Sequence, residues 1–462
     1  MISTPLRSWL AVTALAIGAP SLAAQARPAR PAQPDRCRLE LVNADRRGAQ
    51  TTPSPGVTNF FAGGKVHGRC VGRNIHIYSD SMASYGGTVV QFLSQTNRVR
   101  YRDSTTDLDA DLITYFRDNE RVEAQGNVVH RDLKTGSSIT GPRVDYFRPL
   151  KNVRPEFELL AYNRPTIKYV VLDSLGKATE PYTIVGNQVK TAGSNLVHAG
   201  GSVTIDRRDL HGAADSIWID SGKAEKGQMV KNATLKSVED SGFTLTGSTI
   251  DLGLAHKELS SLKAKVKSKL VSKDVTLDAD SILIELTARH VDQTRAWGKD
   301  IRPVAVSSDY KITGDSLVIE SPNQQLTSVR AYGSGWAGLV ADSTVAVEQR
   351  RRDWIAGDKV VATFTARDSA GVKKTSIKRL EAEQKARSYY QMPPQRGETL
   401  GSINYTRADR IVVSMKLTSD STSVERVESF GSVDGVHLQP AIRHDSAATR
   451  RDTTAARSER PR

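Results

Sequence analysis

The chain is poor in the residues that build metal centres, membrane spans and long helices. It has only two cysteines and nine histidines in 462 residues, and aromatics make up 6%. The histidines are scattered, with no H-E-x-x-H motif and no Cys/His cluster, so no metal is assigned. Beyond the first 30 positions no apolar run reaches 18 residues, which excludes an internal membrane-spanning helix. Long amphipathic helical patterns are scarce. A 38% hydrophobic and 25% charged composition is too apolar for a disordered chain and too polar for a membrane bundle. At about 150 residues per domain, the length corresponds to roughly two to four domain-sized units.

Charge is also limited where it would matter. The formal net charge is +14, but half of it lies in residues 1–47 and 441–462, which leaves +7 for 48–440. That bias is too weak for a dedicated nucleic-acid binder, and no nucleic acid is expected as a partner. It suits an anionic lipid or a membrane surface.

Residues 1–26 read as a secretory signal peptide. Arg7 is the charged start, Trp9–Ala19 the apolar core, and Ala24-Gln25-Ala26 a small-x-small cleavage site. An uncut anchor is the alternative, but the apolar run is short for a span. The chain is therefore expected in an exported, oxidising compartment, where Cys37 and Cys70 read most simply as a disulfide. Two buried or free thiols are the other reading. Residues 27–57 are rich in Pro, Ala, Arg and Gly and read as a flexible leader, and 439–462 as a disordered tail.

Between these ends runs an internal repeat. Its first element is an acidic step into an alternating strand, clearest in Ala214-Asp215-Ser216-Ile217-Trp218-Ile219, Ala279-Asp280-Ser281-Ile282-Leu283-Ile284 and Gly314-Asp315-Ser316-Leu317-Val318-Ile319. Looser copies begin at Ser79-Asp80, Ala110-Asp111, Gly357-Asp358 and Ala408-Asp409, and degenerate ones at Gly141-Pro142 and Gly247-Ser248. The common step is 31–35 residues, and a gap of 73 between Pro142 and Asp215 places one eroded copy between 150 and 190. The second element is Ala-x-Gly, as in Ala62-Gly63-Gly64, Ala124-Gln125-Gly126, Ala199-Gly200-Gly201, Ala296-Trp297-Gly298 and Ala331-Tyr332-Gly333, with Ser429-Phe430-Gly431 as the last. Alternation makes each strand apolar on one face. Glycine allows a kink or bulge where a strand turns a corner, and the aspartate is expected to accept backbone N–H bonds at the opposite corner. A single repeat cannot cover its apolar face, so the repeats must stack.

Together these elements resemble the OstA/LptA-like family, the β-jellyrolls of lipopolysaccharide transport. The stretch Ala110–Val128 follows the family pattern closely, Ala199–Ser216 follows its other half, and the resemblance covers about 58–438. It implies an all-β fold of stacked antiparallel jellyroll repeats forming an elongated curved groove. It further implies a periplasmic protein that holds acyl chains, with lipopolysaccharide or a similar anionic glycolipid as cargo. Two segments, 58–150 and 151–438, are expected to carry the repeats. The chain is longer than a one-jellyroll bridge and too short to append a transmembrane barrel.

If the strands line a groove, alternation puts Ile113, Tyr115, Ile217, Ile219, Ile282, Ile284, Leu317, Ile319, Ile411 and Val413 on the acyl-facing side. An ordinary packed core is the alternative. Lys263, Lys265, Lys267 and Lys269 alternate with less polar residues, giving a strand with a basic face. That face is either a rim for lipid phosphates or an edge guarded against aggregation. Gly333-Ser334-Gly335-Trp336-Ala337-Gly338 matches G-x-G-x-x-G but lacks the strand-then-helix context of a dinucleotide site, so no cofactor is assigned. No catalytic set emerges, and the chain is not expected to be an enzyme. The leading function is a lipid-transport scaffold, which pairs end to end with other envelope jellyrolls through its open strand edges. A structural β-solenoid with a dry core is the competing class.

Overall fold

The computed structural model describes residues 36–439, apart from 53, 55, 174, 239–241, 308, 341–352, 370–371, 393–400 and 419–421. The expected signal peptide, the start of the expected leader and the tail from Pro440 on lie outside the described residues. Among the described residues thirty strands form one sheet in which every pairing is antiparallel. Among the described residues there is no α-helix, only a 3-10 turn at Pro322–Gln324.

The register explains how the repeats stack. Strands Arg121–Asp132 and Ser138–Phe147 pair through Arg143–Phe147 with Arg121–Gln125, and through Ser138–Gly141 with Val128–Arg131, with a slip between Gly141 and Arg143. Matching slips fall at Gly200/Val203, Val230/Ala233, Lys265/Ser268, Tyr332/Gly335 and Glu383/Ala386. Each slip is a corner that divides a strand into two flanks. Elsewhere the chain breaks into two short strands at the corner, as Thr106–Ala110 and Leu112–Phe116 do around Asp111. Counting each broken strand once gives twenty-two rungs among the described residues, two to each sequence repeat. One flank carries Ile113 and the other Leu108. They face each other across a shared apolar interior: the Cβ direction of Gly212 on the Leu108 flank points at the Met229 methyl of the Ile113 flank, 3.1 Å away.

The corners account for both sequence elements at once. Gly126 and Asn127 are both left-handed, with φ of +75° and +45°, and so are Gly64-Lys65, Gly201-Ser202 and Gly333-Ser334. Two successive left-handed residues make the bulge that turns the strand. The acidic step of the neighbouring rung lies against that glycine. A Cβ on Gly126 would collide with the Asp111 side chain, one on Gly333 with Asp315, and one on Gly431 with Asp409. The Asp111 N–H donates to the Gly126 carbonyl at 3.0 Å, and the Asn127 amide donates to the Asp111 carboxylate at 2.9 Å. Aspartate and glycine therefore meet at the same corner, not at opposite ones as the sequence suggested. Glycine is needed because the aspartate occupies the space of its missing side chain.

Asn187 is the eroded copy between 150 and 190: its side chain lies against Gly201, and its N–H bonds to the Gly201 carbonyl at 3.0 Å. Asp45 against Gly64 is a further copy inside the expected leader. The leader boundary is thereby corrected. Leu39–Asn43 and Arg46–Thr51 are strands that pair with Thr58–Cys70. Proline and arginine content suggested a linker, but Leu39 and Leu41 pack on the core and Cys37 is disulfide-bonded to Cys70. The divide at 150/151 is not a break in the sheet, since Arg143–Phe147 pairs directly with Glu158–Tyr162.

Candidate functional site

All ten candidate interior residues sit on the inward face of the Ile113 flank, and none is more than 9% exposed. What they meet differs along the stack with the rim turns that lie opposite the corners.

In the first half, polar side chains tie the two rims together. Glu120 lies in the turn between Leu112–Phe116 and Arg121–Asp132 and is fully buried. Its carboxylate accepts from Arg148 Nη1 at 2.5 Å, from the Tyr115 hydroxyl at 3.0 Å and from the Cys37 backbone N–H at 2.6 Å. Since Cys37 is tied to the end of Thr58–Cys70 on the Leu108 flank, Glu120 joins the two rims. Burial and the adjacent Glu120 charge push the Tyr115 hydroxyl well above the ordinary tyrosine range. Further along, the Tyr146 ring meets Tyr101 edge-on at 6.0 Å, and its hydroxyl accepts from Thr106 at 3.1 Å. Ser194 donates to Asp132 at 2.7 Å, and Tyr169 donates across the mouth to the Asn195 carbonyl at 2.9 Å. Burial raises the Tyr169 hydroxyl to about 12 and lowers His130 to about 4, so both are neutral near pH 7.

In the second half the described residues leave space between the flanks. A cleft of about 310 Å³ lies between Phe243, Leu270 and Val275 on the Leu108 flank and Val291, Ile319 and Leu326 on the other. The rest of its lining is largely polar, with Ser272, Lys273, Asp274, Thr294, Ser321 and Gln325 among it. Of the ten interior candidates, Ile319 lines this cleft, Ile219 lines a small enclosed apolar cavity of about 30 Å³, and Val413 lines one of about 50 Å³. The other seven line none of these three cavities. Interiors are normally close-packed, so the cleft is a departure that calls for an occupant or a function.

The lysine row requires a correction. Val266 and Lys267 are left-handed, with φ of +62° and +53°, and form a corner. Lys263 and Lys265 therefore lie on one flank and Lys269 on the other, with Lys267 on the corner itself, so the four make no single basic face. They belong to the outer surface: Lys265 pairs with Asp251 at 2.5 Å, Lys269 with Asp278 at 3.4 Å, and Lys263 lies over the Trp297 ring at 5.2 Å. None of them lines the cleft. The alternation itself is kept across the corner, with Leu262, Ala264, Ser268 and Leu270 inward and the lysines outward, but the corner carries Lys269 onto the other flank. Glu120, Arg148, Phe243, Val275 and Leu326 went unnoticed in the sequence because they stand in or beside rim turns, off the repeat. Gly333–Gly338 is the corner and following strand of the Ser328–Leu339 rung, and the next described element is the strand Trp354–Ser369.

No protein-family model matches the chain, and no curated protein shows significant sequence similarity to it.

Proposed function

We propose that this protein is a periplasmic lipid-binding scaffold of the envelope, an OstA-like stack of jellyroll repeats that shelters acyl chains between its flanks on the way to the outer membrane. The observation that carries the reading is the cleft walled by Phe243, Val291, Ile319 and Leu326, which adjoins the continuous hydrophobic core. An acyl chain gains about 0.8 kcal/mol for each CH₂ it buries. At about 310 Å³ the cleft is at the lower end of ligand pockets, which run from roughly 300 to 1,000 Å³. It suits the end of one chain. A glycolipid with several chains, such as lipopolysaccharide, requires the flanks to part further. The corner geometry favours that motion, because the flanks are covalently joined at one edge only.

The end rungs support a place in a longer assembly. Among the described residues, Thr422–Phe430 and Asp434–Leu438 pair only with Ile403–Leu417, and they expose Phe430, Val436 and Leu438. Such an edge is a template for a strand of another envelope jellyroll.

A structural β-solenoid with no cargo is the second reading. It is favoured by Ile113, Ile282, Ile284, Leu317 and Ile411, all at 0% exposure, as in a dry core. The test is native mass spectrometry of the protein purified from an outer-membrane-bearing host, with photo-crosslinkers at Ile217, Ile282 and Leu317. Lipid adducts at these sites, and none at the outward-facing Trp218 and Leu283, support transport. Lipid-free protein with no adducts moves the assignment to the solenoid.

A further inference from the structure

The most exposed apolar side chains stand together on the rim of the first half. Among the described residues Leu175 is 91% exposed and Val153 70%, more than any other large apolar side chain, and Leu133 is 53% exposed. They occupy three turns that connect four successive rungs. Leu133 follows Arg121–Asp132, Val153 lies between Ser138–Phe147 and Glu158–Tyr162, and Leu175 lies between Thr166–Tyr169 and Tyr182–Val185. At about 4.8 Å between strands, those rungs span roughly 15 Å. The turns also adjoin one another. The Leu133 N–H donates to the Thr105 carbonyl at 2.8 Å, Thr105 and Lys151 line one depression, and the Val170 N–H donates to the Ser137 hydroxyl at 3.0 Å. Single exposed aliphatic residues are ordinary on a protein surface, but these three are gathered on one edge.

The turns that present them are built rather than slack. One Asp132 oxygen accepts from the Lys134 N–H at 2.8 Å and the other from the Thr135 hydroxyl at 2.9 Å. Asp173 accepts from the Leu175 and Lys177 N–H groups at 2.9 and 2.8 Å. Leu150 and Arg154 exchange both backbone hydrogen bonds at 2.8 Å, and the Arg154 guanidinium donates to the carbonyls of Arg148 and Asn119 at 2.9 and 3.1 Å. Turns fixed in this way have less freedom to lose on docking. Each tip also carries a lysine within two residues. Lys134, Lys151 and Lys177 are exposed, and none forms an ion pair among the described residues. Asp132 and Asp173 are committed to their turns, and Glu156 and Glu180 stand beyond the tips in sequence.

We propose that these three turns form a contact edge for the surface of an anionic phospholipid bilayer. Leu133, Val153 and Leu175 enter the boundary between head groups and acyl chains, and Lys134, Lys151 and Lys177 meet the phosphates. An aliphatic tip beside an unpaired cation, repeated three times, matches a surface that is anionic above and apolar below. The contact does not rest on the cleft at Phe243–Leu326, because a solenoid with a dry core docks in the same way.

The experiment uses the full exported chain with two kinds of vesicle, pure phosphatidylcholine and equal parts phosphatidylcholine and phosphatidylglycerol. An environment-sensitive fluorophore is attached at Leu175→Cys or, as the control, at Val266→Cys. Val266 is 58% exposed but lies on a corner, at the opposite edge of the stack. The native cysteines are buried and paired, so the label goes to the new thiol. A blue shift at position 175 on the anionic vesicles is expected, with none at position 266. In vesicle sedimentation, Lys134→Gln/Lys151→Gln/Lys177→Gln should weaken binding about tenfold or more. Leu133→Ser/Val153→Ser/Leu175→Ser should weaken it as well, while Lys265→Gln/Lys269→Gln on the outer surface leaves it unchanged. The proposal is overturned by no binding to anionic vesicles, by equal binding to pure phosphatidylcholine, by equal shifts at the two labelled positions, or by rim variants that bind like the parent.

Discussion

Two lengths of the same stack meet water differently. Around Tyr101–Tyr169 the flanks are latched by Glu120, Arg148, Tyr146 and Asp132, while around Phe243–Leu326 they part over a cleft. The corners in both lengths are the same device, Asp111 on Gly126 in one and Asp315 on Gly333 in the other. The corner repeat therefore specifies the fold, and the rim turns specify what each length of the stack can do.

The sharpest way to break this contrast is to unlatch the sealed end. Glu120→Gln leaves Arg148 buried without its counter-charge and should cost about 3–5 kcal/mol in urea unfolding. Lys265→Met removes an outer pair with Asp251 that is partly exposed and should cost under about 1 kcal/mol. Equal costs would mean that the seal is not structural.

Core truncation sharpens it next. Ile282→Ala empties a fully buried position and should cost about 2–5 kcal/mol. Leu326→Ala, at the lip of the cleft, should cost clearly less because the space beside it is already open. A reversed order in thermal or urea unfolding would contradict the placement of the cleft.

The sealed end should also be the acid-sensitive one. Burial holds His130 at about 4 when folded, below its ordinary value near 6.5, so the unfolded chain takes up the proton first. Its contribution is fully present above pH ~6.5 and is lost as the pH falls toward 4, up to about 3 kcal/mol. His130→Phe should flatten the stability curve in that window, and an unchanged slope would rule out this source.

One effect should be the same in both lengths. Gly126→Ala and Gly333→Ala each force a left-handed alanine against an aspartate and should each cost about 1–3 kcal/mol in the same assay. A large difference between them would break the claim that one corner device serves the whole stack.

How much of this was legible in the sequence follows from the same division. The corners were readable because a left-handed bulge and the side chain filling it restrict residue choice every rung, which leaves Ala-x-Gly and Ala-Asp behind. Asn187 was found only as a gap, because an amide can do the carboxylate's work there. Inward alternation held for Ile217, Ile282 and Leu317 since each lies between corners. Alternation also placed Lys263, Lys265 and Lys269 outward, but the reading of one face failed because Val266-Lys267 is a corner without glycine, and nothing local marks it. The latch and the cleft were not legible. Glu120 and Arg148 are 28 positions apart in irregular turns, and they meet only once the rungs have stacked.

The central claim is that one length of the interior admits an acyl chain and the other does not. The direct measurement is paired photo-crosslinking on protein from an outer-membrane-bearing host, with the crosslinker at Ile319 in the cleft or at Ile113 behind the latch. Lipid adducts at Ile319 and none at Ile113 are predicted. Equal labelling at both positions, or none at Ile319, would contradict the account.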